Sequence, residues 1–436
     1  MLTLIDVTEE AGDLTRFLPR ADAATVADVH DHVAAILAAV HERGDAAVAE
    51  FAERFDGWDG GAWEVDAPQR TAALAALDPS LRAALERAAE RVRWFHERVR
   101  PVDWREAHDG ASLGVSYRPV QRVGVYVPGG LAAYPSTVLM TVIPARVAGV
   151  DEIILCSPAR DGAVDRTIVA AAEMLGVDRI LGIGGAQAIA GMAYGTQTIP
   201  RCDKIVGPGN AYVAEAKVQV SAAGLCGIDA RAGTTEVAII ADGTADPRLV
   251  ACDLVAQAEH DPEAVCVLIT PDRALIGATE QALVGEVART RHRERVTAAL
   301  NGQGTALLVR DLDQAVDAAN TFAPEHLEVQ TAQPAAIAER VRYAGGIFVG
   351  GDTPVALGDY CAGPNHTLPT AGSARFTGGL STEDFLVRVN WVEYGPEALA
   401  DVAPVVDALA AAEDLPAHAR AVRARLEPNR PRPCSA

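Results

Sequence analysis

The chain has 436 residues, of which 49% are hydrophobic and 22% charged, a composition typical of a soluble globular protein of two or three domains. Its 59 acidic and 38 basic residues give a net charge of -21, which argues against nucleic acid and anionic membranes as partners because both require clustered Lys and Arg. The acidic start of the chain lacks a signal-peptide pattern, and no apolar run approaches the roughly 20 residues that span a bilayer. We therefore expect a cytoplasmic protein.

The first hundred residues have the spacing of helices that cover a sheet. Ala, Val and Leu recur at helical intervals over 23–56 and 70–99, with Gly44 and Gly57 as breaks. From Val123 onward, short β-branched runs alternate with Ala-rich stretches, which indicates βαβ units and a parallel sheet. Strands are predicted at 152–156, 179–181 and 204–206, and helices at 165–176, 186–194 and 211–222.

A second α/β series begins with a predicted strand at 236–241. Asp246 as N-cap and Pro247 at the first helical position start a helix that should run to about His260, where Asp261 and Pro262 stop it. Later strands are predicted at 265–269, 306–309 and 346–349, and helices near 382–390 and 396–413. The predicted fold class is α/β, with two incomplete Rossmann-like parallel-sheet domains, a short N-terminal extension and a helical C-terminal tail.

Four separated side chains have the chemistry of metal ligands. Gln257 and His260 are three residues apart, so they share one helix face and can reach a single ion. Asp359 offers a carboxylate in a segment rich in Gly and Pro. His418 falls in the first turn of a helix beginning at Pro416, where the dipole favours the neutral, metal-binding imidazole. Two histidines, a carboxylate and an amide oxygen suit zinc with positions open for substrate.

Glu325 and His326 form the strongest pair for proton transfer. The carboxylate can activate water, and the imidazole can take a proton from an alcohol. Successive side chains of a strand face opposite sides, but Pro324 favours a turn or a helix start here. We expect both side chains to serve one site.

Three glycine-rich segments suit a dinucleotide. They lie at 126–130, 182–187 and 207–210. The middle segment stands between a predicted strand and helix, where backbone N–H groups can hold phosphate. It is not a full G-x-G-x-x-G fingerprint, because Gln187 occupies the third glycine position.

Taken together, these segments resemble the histidinol dehydrogenase family over nearly the whole chain. The resemblance is carried by Val125-Tyr-Val-Pro-Gly-Gly130, Gly184-Gly-Ala-Gln-Ala188, Gly207-Pro-Gly-Asn210, Gly227-Ile-Asp-Ala-Arg-Ala-Gly-Thr-Thr-Glu236, Gln257-Ala-Glu-His260, Ala323-Pro-Glu-His-Leu327, Gly358-Asp-Tyr360, Asn365-His366 and Ala412-Glu-Asp-Leu-Pro-Ala-His418. The order and spacing of these motifs make chance agreement very improbable.

The resemblance implies a role for each matching residue. One zinc ion per subunit would be held by Gln257, His260, Asp359 and His418, with Glu325 and His326 as the proton-transfer residues. Further substrate contacts would be Thr235, His366 and Glu413, and NAD would lie near Tyr126, Gln187 and Asn210. It also implies a homodimer in which the C-terminal tail, with Glu413 and His418, completes the site of the partner.

The reaction implied by the resemblance is the four-electron oxidation of L-histidinol to L-histidine. The alcohol would lose a hydride to one NAD⁺ with His326 as base, and the bound aldehyde would be hydrated with help from Glu325 and lose a second hydride to another NAD⁺. The implied domains are 1–22, an N-terminal extension; 23–120 with 237–378, a larger discontinuous domain with the zinc and catalytic residues; 121–236, the NAD-binding domain; and 379–436, a helical dimerisation tail.

Three other interpretations remain at this point. Thr234 stands where the family usually has Pro, which frees φ and adds a hydroxyl beside Thr235, so a paralogue oxidising another amino or hydroxy alcohol is the first competitor. The same ligands could serve a zinc hydrolase with Glu325 as base, although a hydrolase has no need of three glycine-rich segments. A non-catalytic NAD-binding regulator would have no use for Glu325 and His326.

Overall fold

The computed structural model describes residues 1–19, 26–129, 133–160, 162–230 and 233–427. The chain forms two compact units, one of Met1–Arg100 with Val120–Phe385 and one of Pro101–Pro119 with the residues from Leu386 onward. The strands are β1 (Thr3–Asp6), β2 (Trp104–His108), β3 (Ala111–Pro119), β4 (Arg122–Tyr126), β5 (Glu152–Cys156), β6 (Arg179–Leu181), β7 (Lys204–Val206), β8 (Gly227–Ile228), β9 (Glu236–Ala241), β10 (Val265–Thr270), β11 (Gly304–Leu308), β12 (His326–Gln330), β13 (Gly346–Val349) and β14 (Leu386–Tyr394).

The helices that pack with these strands are α1 (Val26–Arg43), α2 (Asp45–Asp56), α3 (Ala67–Ala75), α4 (Pro79–Val99), α5 (Pro135–Ala148), α6 (Arg166–Met174), α7 (Gly185–Tyr194), α8 (Ala211–Ala222), α9 (Pro247–Ala258), α10 (Arg273–Arg289), α11 (Arg293–Gln303), α12 (Leu312–Phe322), α13 (Pro334–Ala338), α14 (Val355–Tyr360), α15 (Pro396–Ala412) and α16 (Pro416–Leu426). Short 3₁₀ turns lie at Thr15–Phe17, Ser373–Arg375 and Thr382–Phe385.

A six-stranded parallel sheet runs in the order β1-β11-β10-β9-β12-β13. It is covered on both faces, as parallel sheets usually are. Alternate residues of β9 serve opposite cores: Val237 and Ile239 pack with α9, α10 and α11, whereas Ala238 and Ile240 pack with α12 and α13. The strand Thr3–Asp6, which the sequence analysis placed in an N-terminal extension, pairs with β11 at the edge of this sheet.

A second parallel sheet has five strands in the order β6-β5-β4-β7-β8. Its core contains buried residues of α1 and α2, such as Val33 and Phe51, together with residues of α7 and α8. These two helices belong to residues 23–120, which the predicted domain division joins with 237–378. Amphipathic helices show which face is buried but not which sheet buries it.

The smaller unit contains an antiparallel sheet in the order β14-β3-β2 and the helices α15 and α16. The predicted helix near 382–390 is wrong, because only Thr382–Phe385 forms a 3₁₀ turn and β14 follows. Val387, Val389 and Trp391 alternate with polar residues, and this period of two suits a strand that pairs with β3 over its whole length.

The α/β rhythm predicted from the sequence is confirmed. The strands at 152–156, 179–181, 204–206, 236–241 and 346–349 have the predicted bounds, and α9 begins behind an Asp246 cap with Pro247 in its first turn. Gly44 and Gly57 flank α2 with positive φ angles, as expected of helix breaks. In the part of the chain that is described, no helix is long and apolar enough to cross a membrane.

Candidate active site

The amino ends of β9 and β12 and the carboxyl end of α9 bring several predicted site residues together. Gln257, in the last turn of α9, is buried, and its side-chain amide donates to Thr235 Oγ1 at 2.6 Å. The Thr235 hydroxyl in turn donates to Glu325 Oε2 at 2.7 Å. Since the amide nitrogen of Gln257 is used in this chain of bonds, its Oε1 is the end that can bind a cation.

The Glu325 carboxylate lies in the turn directly before β12 and is buried. Its Oε2 accepts both the Thr235 hydroxyl and the backbone N–H of Glu236, the latter at 2.9 Å. The N–H of Gly346, at the start of the neighbouring strand β13, donates to the Glu325 carbonyl oxygen at 2.9 Å and fixes its backbone. Two donors on one oxygen fix the position of the carboxylate, and Oε1 remains for a substrate or water.

His326 begins β12, and its ring orientation is determined by one hydrogen bond. Nδ1 lies 2.9 Å from the backbone carbonyl oxygen of Glu236, which can only accept, so Nδ1 carries the proton. The neutral imidazole therefore has its lone pair on Nε2. Nδ1 is also 3.5 Å from Glu325 Oε2, which brings the two predicted proton-transfer groups side by side. Pro324 starts a turn, and a strand follows it instead of a helix.

Asp359 lies in the last turn of the short helix α14, not on a loop as the glycine-rich sequence indicated. Its Oδ2 is 3.9 Å from Nε2 of His260, which is too far for a hydrogen bond. Two ligand atoms of a tetrahedral zinc ion, with bonds of about 2.0–2.2 Å, lie roughly 3.4 Å apart, so a movement of about 0.5 Å would let both side chains reach one ion. The donor set of amide oxygen, imidazole and carboxylate therefore fits zinc at this point.

The other predicted ligand, His418, is on the smaller unit with Glu413. Glu413 caps the end of α15 and His418 lies in the first turn of α16, and both are exposed. Within the described ranges, no group of three His, Cys, Asp or Glu side chains forms a metal site. Gln257 is not one of these four residue types, so the proposed ligands in the larger unit include only two that count, His260 and Asp359.

His366 lies against the candidate ligand Asp359. Its Nδ1 is 3.0 Å from the Asp359 carbonyl oxygen, and its Nε2 is 3.3 Å from the hydroxyl of Thr137 on α5. Burial lowers the pKa of His366, and the Asp359 carboxylate partly offsets this effect. Sequence reasoning included His366 through the resemblance but missed Thr137, which has no motif around it.

Glu236 is a second buried carboxyl that sequence reasoning did not single out. Its Oε1 accepts the backbone N–H of Ala371 at 3.0 Å, and its Oε2 has no partner among the residues that the structure describes. Burial, reinforced by the Glu325 carboxylate, raises the pKa of Glu236 to about 7. The sequence does contain a signal for Glu236, because an acidic residue at the first position of a buried strand costs free energy to bury unless it is hydrogen-bonded.

The glycine-rich segment 182–187 already has internal partners for its backbone donors. The N–H of Gly184 and the side chain of Gln187 both donate to Asp56 Oδ2, at 3.0 and 3.1 Å. The N–H of Gly185 donates to the Tyr126 hydroxyl at 3.1 Å. Tyr126 and Gln187 are both buried. Because these donors are bonded within the chain, they are not free to hold a phosphate. The sequence had favoured a phosphate-binding role for this segment.

Asn210 stands instead at the switch point of the five-stranded sheet. Strand order reverses between β4 and β7, and ligands of open α/β sheets bind beyond the carboxyl ends of strands at that point. Tyr126 ends β4, and Gly207 to Asn210 follow β7, with exposed Asn210 capping α8. The loops are so close that a Cβ on Gly207 would lie 2.1 Å from the Tyr126 carbonyl oxygen.

Comparison with known proteins decides the family. The family model described as histidinol dehydrogenase matches residues 19–426. The chain belongs to the histidinol dehydrogenase family. It is 47% identical over 423 residues to a histidinol dehydrogenase of Parasynechococcus marenigrum, with 97% of this chain and 96% of the relative covered. It is 49% identical over 444 residues to one of Mycobacterium bovis, with 98% of each covered.

A solved histidinol dehydrogenase has the same fold. The crystal structure of the Elizabethkingia anophelis protein superposes with a TM-score of 0.91 at 31% identity, covering 98% of each chain. The chain is therefore an enzyme, a member of a family of NAD-dependent dehydrogenases, and the predicted resemblance and α/β fold class are confirmed. Membership in the histidinol dehydrogenase family removes the zinc hydrolase and the non-catalytic regulator as alternatives.

Proposed function

We propose that this chain oxidises L-histidinol to L-histidine through bound L-histidinal, with NAD⁺ as the acceptor of both hydrides. The observation that carries the proposal is the tautomer of His326, whose Nδ1 is 2.9 Å from the Glu236 carbonyl oxygen while Glu325 lies beside it. This arrangement offers an imidazole base and a carboxylate base to one substrate. Family membership supports histidinol as that substrate.

Gln257, His260 and Asp359, with His418 of the partner subunit, would hold one zinc ion per subunit. The Gln257 amide is oriented by Thr235, and the gap of 3.9 Å between His260 and Asp359 is within about 0.5 Å of the separation of two ligands of one zinc ion. Zinc held there would supply a Lewis acid that orients the substrate, and it would do no redox chemistry. Thr235, His366 and Glu413 of the partner subunit are the proposed further contacts to substrate.

His326 and Glu325 have separate proton transfers. In the first oxidation, Nε2 of His326 takes the alcohol proton as the carbinol carbon loses its hydride. Glu325 then takes a proton from water as the water oxygen adds to the bound aldehyde, giving the singly deprotonated hydrate, RCH(OH)O⁻. The hydrate loses a second hydride and a proton to form the carboxylate. The site retains the reactive aldehyde throughout, which avoids its release.

NAD⁺ supplies the hydride acceptor for both oxidations. We place it near Tyr126, Gln187 and Asn210, in a domain of residues 121–236. The support for this position is the switch point between β4 and β7, where Asn210 is exposed. Tyr126 and Gln187 are buried and hydrogen-bonded within the chain. We therefore expect the Tyr126 ring and the backbone of both residues to line the NAD⁺ site at this switch point, without free polar groups.

Two substitutions separate the proposed proton transfers. His326→Asn should abolish NADH formation from L-histidinol but retain part of the turnover of added L-histidinal, which needs Glu325. Glu325→Gln should permit the first hydride transfer and stop before the second, so a single rapid burst of NADH is expected. Equal loss with both substrates in both variants would contradict the assignment of separate roles.

The proposed homodimer has its own test. Glu413 and His418 are taken to complete the site of the partner subunit, so chains carrying His326→Asn and chains carrying His418→Asn should complement each other. A mixture refolded or exchanged at random forms one intact site in each mixed dimer, and about a quarter of the parent activity should return. No recovery in demonstrably mixed dimers would show that His418 does not act in the partner's site.

A further inference from the structure

The buried strand β12 has polar side chains on one face, although packing in a protein interior does not require them. His326, Glu328 and Gln330 lie on one face of the strand, since alternate residues of a strand face the same side. All five residues of β12 are buried, and Glu328 is 1% exposed. Burying a carboxyl group is costly unless it is hydrogen-bonded, so its partners indicate why it is there.

Glu328 contacts the helix that carries Asp359. Its Oε1 accepts the backbone N–H of Val355, the first residue of α14, at 3.0 Å. Val355 is four residues, about one helical turn, before Asp359. The backbone of α14 is therefore anchored to the strand that begins with the catalytic candidate His326.

Glu328 also contacts α9, the helix that carries Gln257 and ends two residues before His260. Asp253 lies on α9 four residues before Gln257 and is hydrogen-bonded to the Glu328 side chain. The Gln330 amide bridges the pair, donating to Asp253 Oδ2 and to Glu328 Oε2, each at 2.8 Å. Burial first, and then the Asp253 charge, raise the pKa of Glu328 to about 8, and burial also raises the pKa of Asp253, so the two carboxyl groups can share one proton.

We propose that Glu328 and Asp253 are positioning residues for the metal site, which fasten the ligand-bearing helices α9 and α14 to the strand that carries His326. The pair touches neither substrate nor metal and acts through the ligands Gln257 and Asp359. This inference rests on the proposed function, because it takes those residues as zinc ligands. Loss of the pair should lower zinc affinity while the chemistry of a zinc-loaded site remains.

The test is zinc affinity of the metal-stripped, full-length chain, measured by competition with a chromophoric chelator. Glu328→Leu leaves the Val355 N–H and the Asp253 carboxylate without their partner, and outer-shell losses of this kind lower metal affinity about 10- to 100-fold. Glu328→Gln keeps an acceptor for Val355 and a donor for Asp253 and loses only the bond from the Gln330 amide, so its zinc affinity should fall clearly less than that of Glu328→Leu.

Val329→Ala is the matched control, because Val329 is buried on the same strand but faces the opposite core. It should lower thermal stability without changing zinc affinity. At saturating zinc, Glu328→Leu should regain most of its kcat, whereas His326→Asn should not. If Glu328→Leu does not fold, Asp253→Leu tests the same link from α9 and should lose at least about tenfold in zinc affinity.

Zinc affinity equal to the parent in a folded Glu328→Leu or Asp253→Leu chain would overturn the inference. So would an equal loss of affinity in Val329→Ala, since that would make the effect one of general stability. A parent chain that binds no zinc would instead contradict the proposed function itself, and the two failures are therefore distinguishable.

Discussion

The hydroxyl of Thr235 connects a proposed zinc ligand to a proposed catalytic base. It accepts from the Gln257 amide at 2.6 Å and donates to the Glu325 carboxylate at 2.7 Å. Thr235→Val keeps the shape of the side chain and removes both bonds. A hydrogen bond to a charged group contributes about 1.5–3 kcal/mol and a neutral one about 0.5–1.5 kcal/mol. The total of about 2–4.5 kcal/mol corresponds to a fall of about 30- to 2000-fold in kcat/KM.

The assay is steady-state NADH formation from L-histidinol, with zinc affinity of the metal-stripped chain measured beside it. Thr235→Ser is the control, because it keeps the hydroxyl and should remain within a few-fold of the parent in both measurements. Thr235→Val should lose zinc affinity as well as kcat/KM, since Gln257 is then free to turn. A rise in KM alone, with zinc affinity unchanged, would refute this reasoning and make Thr235 a simple substrate contact.

Three further predictions follow from single side chains. Gly358→Ala would place a Cβ 2.6 Å from Phe348 Cζ and displace the neighbouring Asp359, so zinc affinity should fall. A second change, Phe348→Leu, should restore it. Unchanged zinc affinity in Gly358→Ala would contradict the close fit of Gly358 against Phe348. The pKa of Glu236 is raised to about 7, so the folded chain retains a proton that the unfolded chain loses, and stability should fall as pH rises from about 4.5 to 7. The free energy of unfolding in urea should fall over this pH range by up to about 3 kcal/mol less in Glu236→Gln than in the parent. His96 is fully buried and its pKa is lowered to about 4, so stability should fall as pH drops from 6.5 towards 4. His96→Leu should remove this loss of stability. For Glu236 and for His96 alike, a variant whose stability changes with pH in parallel with the parent would contradict the prediction.

Much of the fold was predictable because its signals are local. The strand at 204–206 and the helix at 211–222 that follows it are set by β-branched residues, glycines and an Asn cap within a few residues. The pairing of Thr3–Asp6 with β11 joins residues about three hundred positions apart, and nothing local indicates it. The same holds for α1 and α2, whose apolar faces are evident but whose partner sheet is not.

Residues of the proposed site could be named from the sequence, but the place on the sheet where they meet could not. Ligands of parallel sheets are expected beyond the carboxyl ends of strands, yet Thr235, Glu325 and His326 lie at the amino ends of β9 and β12, where α9 ends. The alternation in His326–Gln330 is typical of a half-exposed strand, but the whole strand is buried. The sequence therefore does not mark Glu328 as buried, and only the structure shows its contacts to α9 and α14.

The central claim is a zinc-dependent four-electron oxidation, and the most direct measurement is the number of NADH molecules formed per molecule of L-histidinol. Zinc-loaded and chelator-stripped protein should be compared under limiting substrate and excess NAD⁺. The account predicts two NADH per substrate, loss of turnover on stripping, and its return with added zinc. One NADH per substrate with release of the aldehyde, or undiminished turnover without metal, would contradict it. No turnover of L-histidinol by a zinc-loaded chain would favour another amino or hydroxy alcohol as the substrate, in line with Thr234.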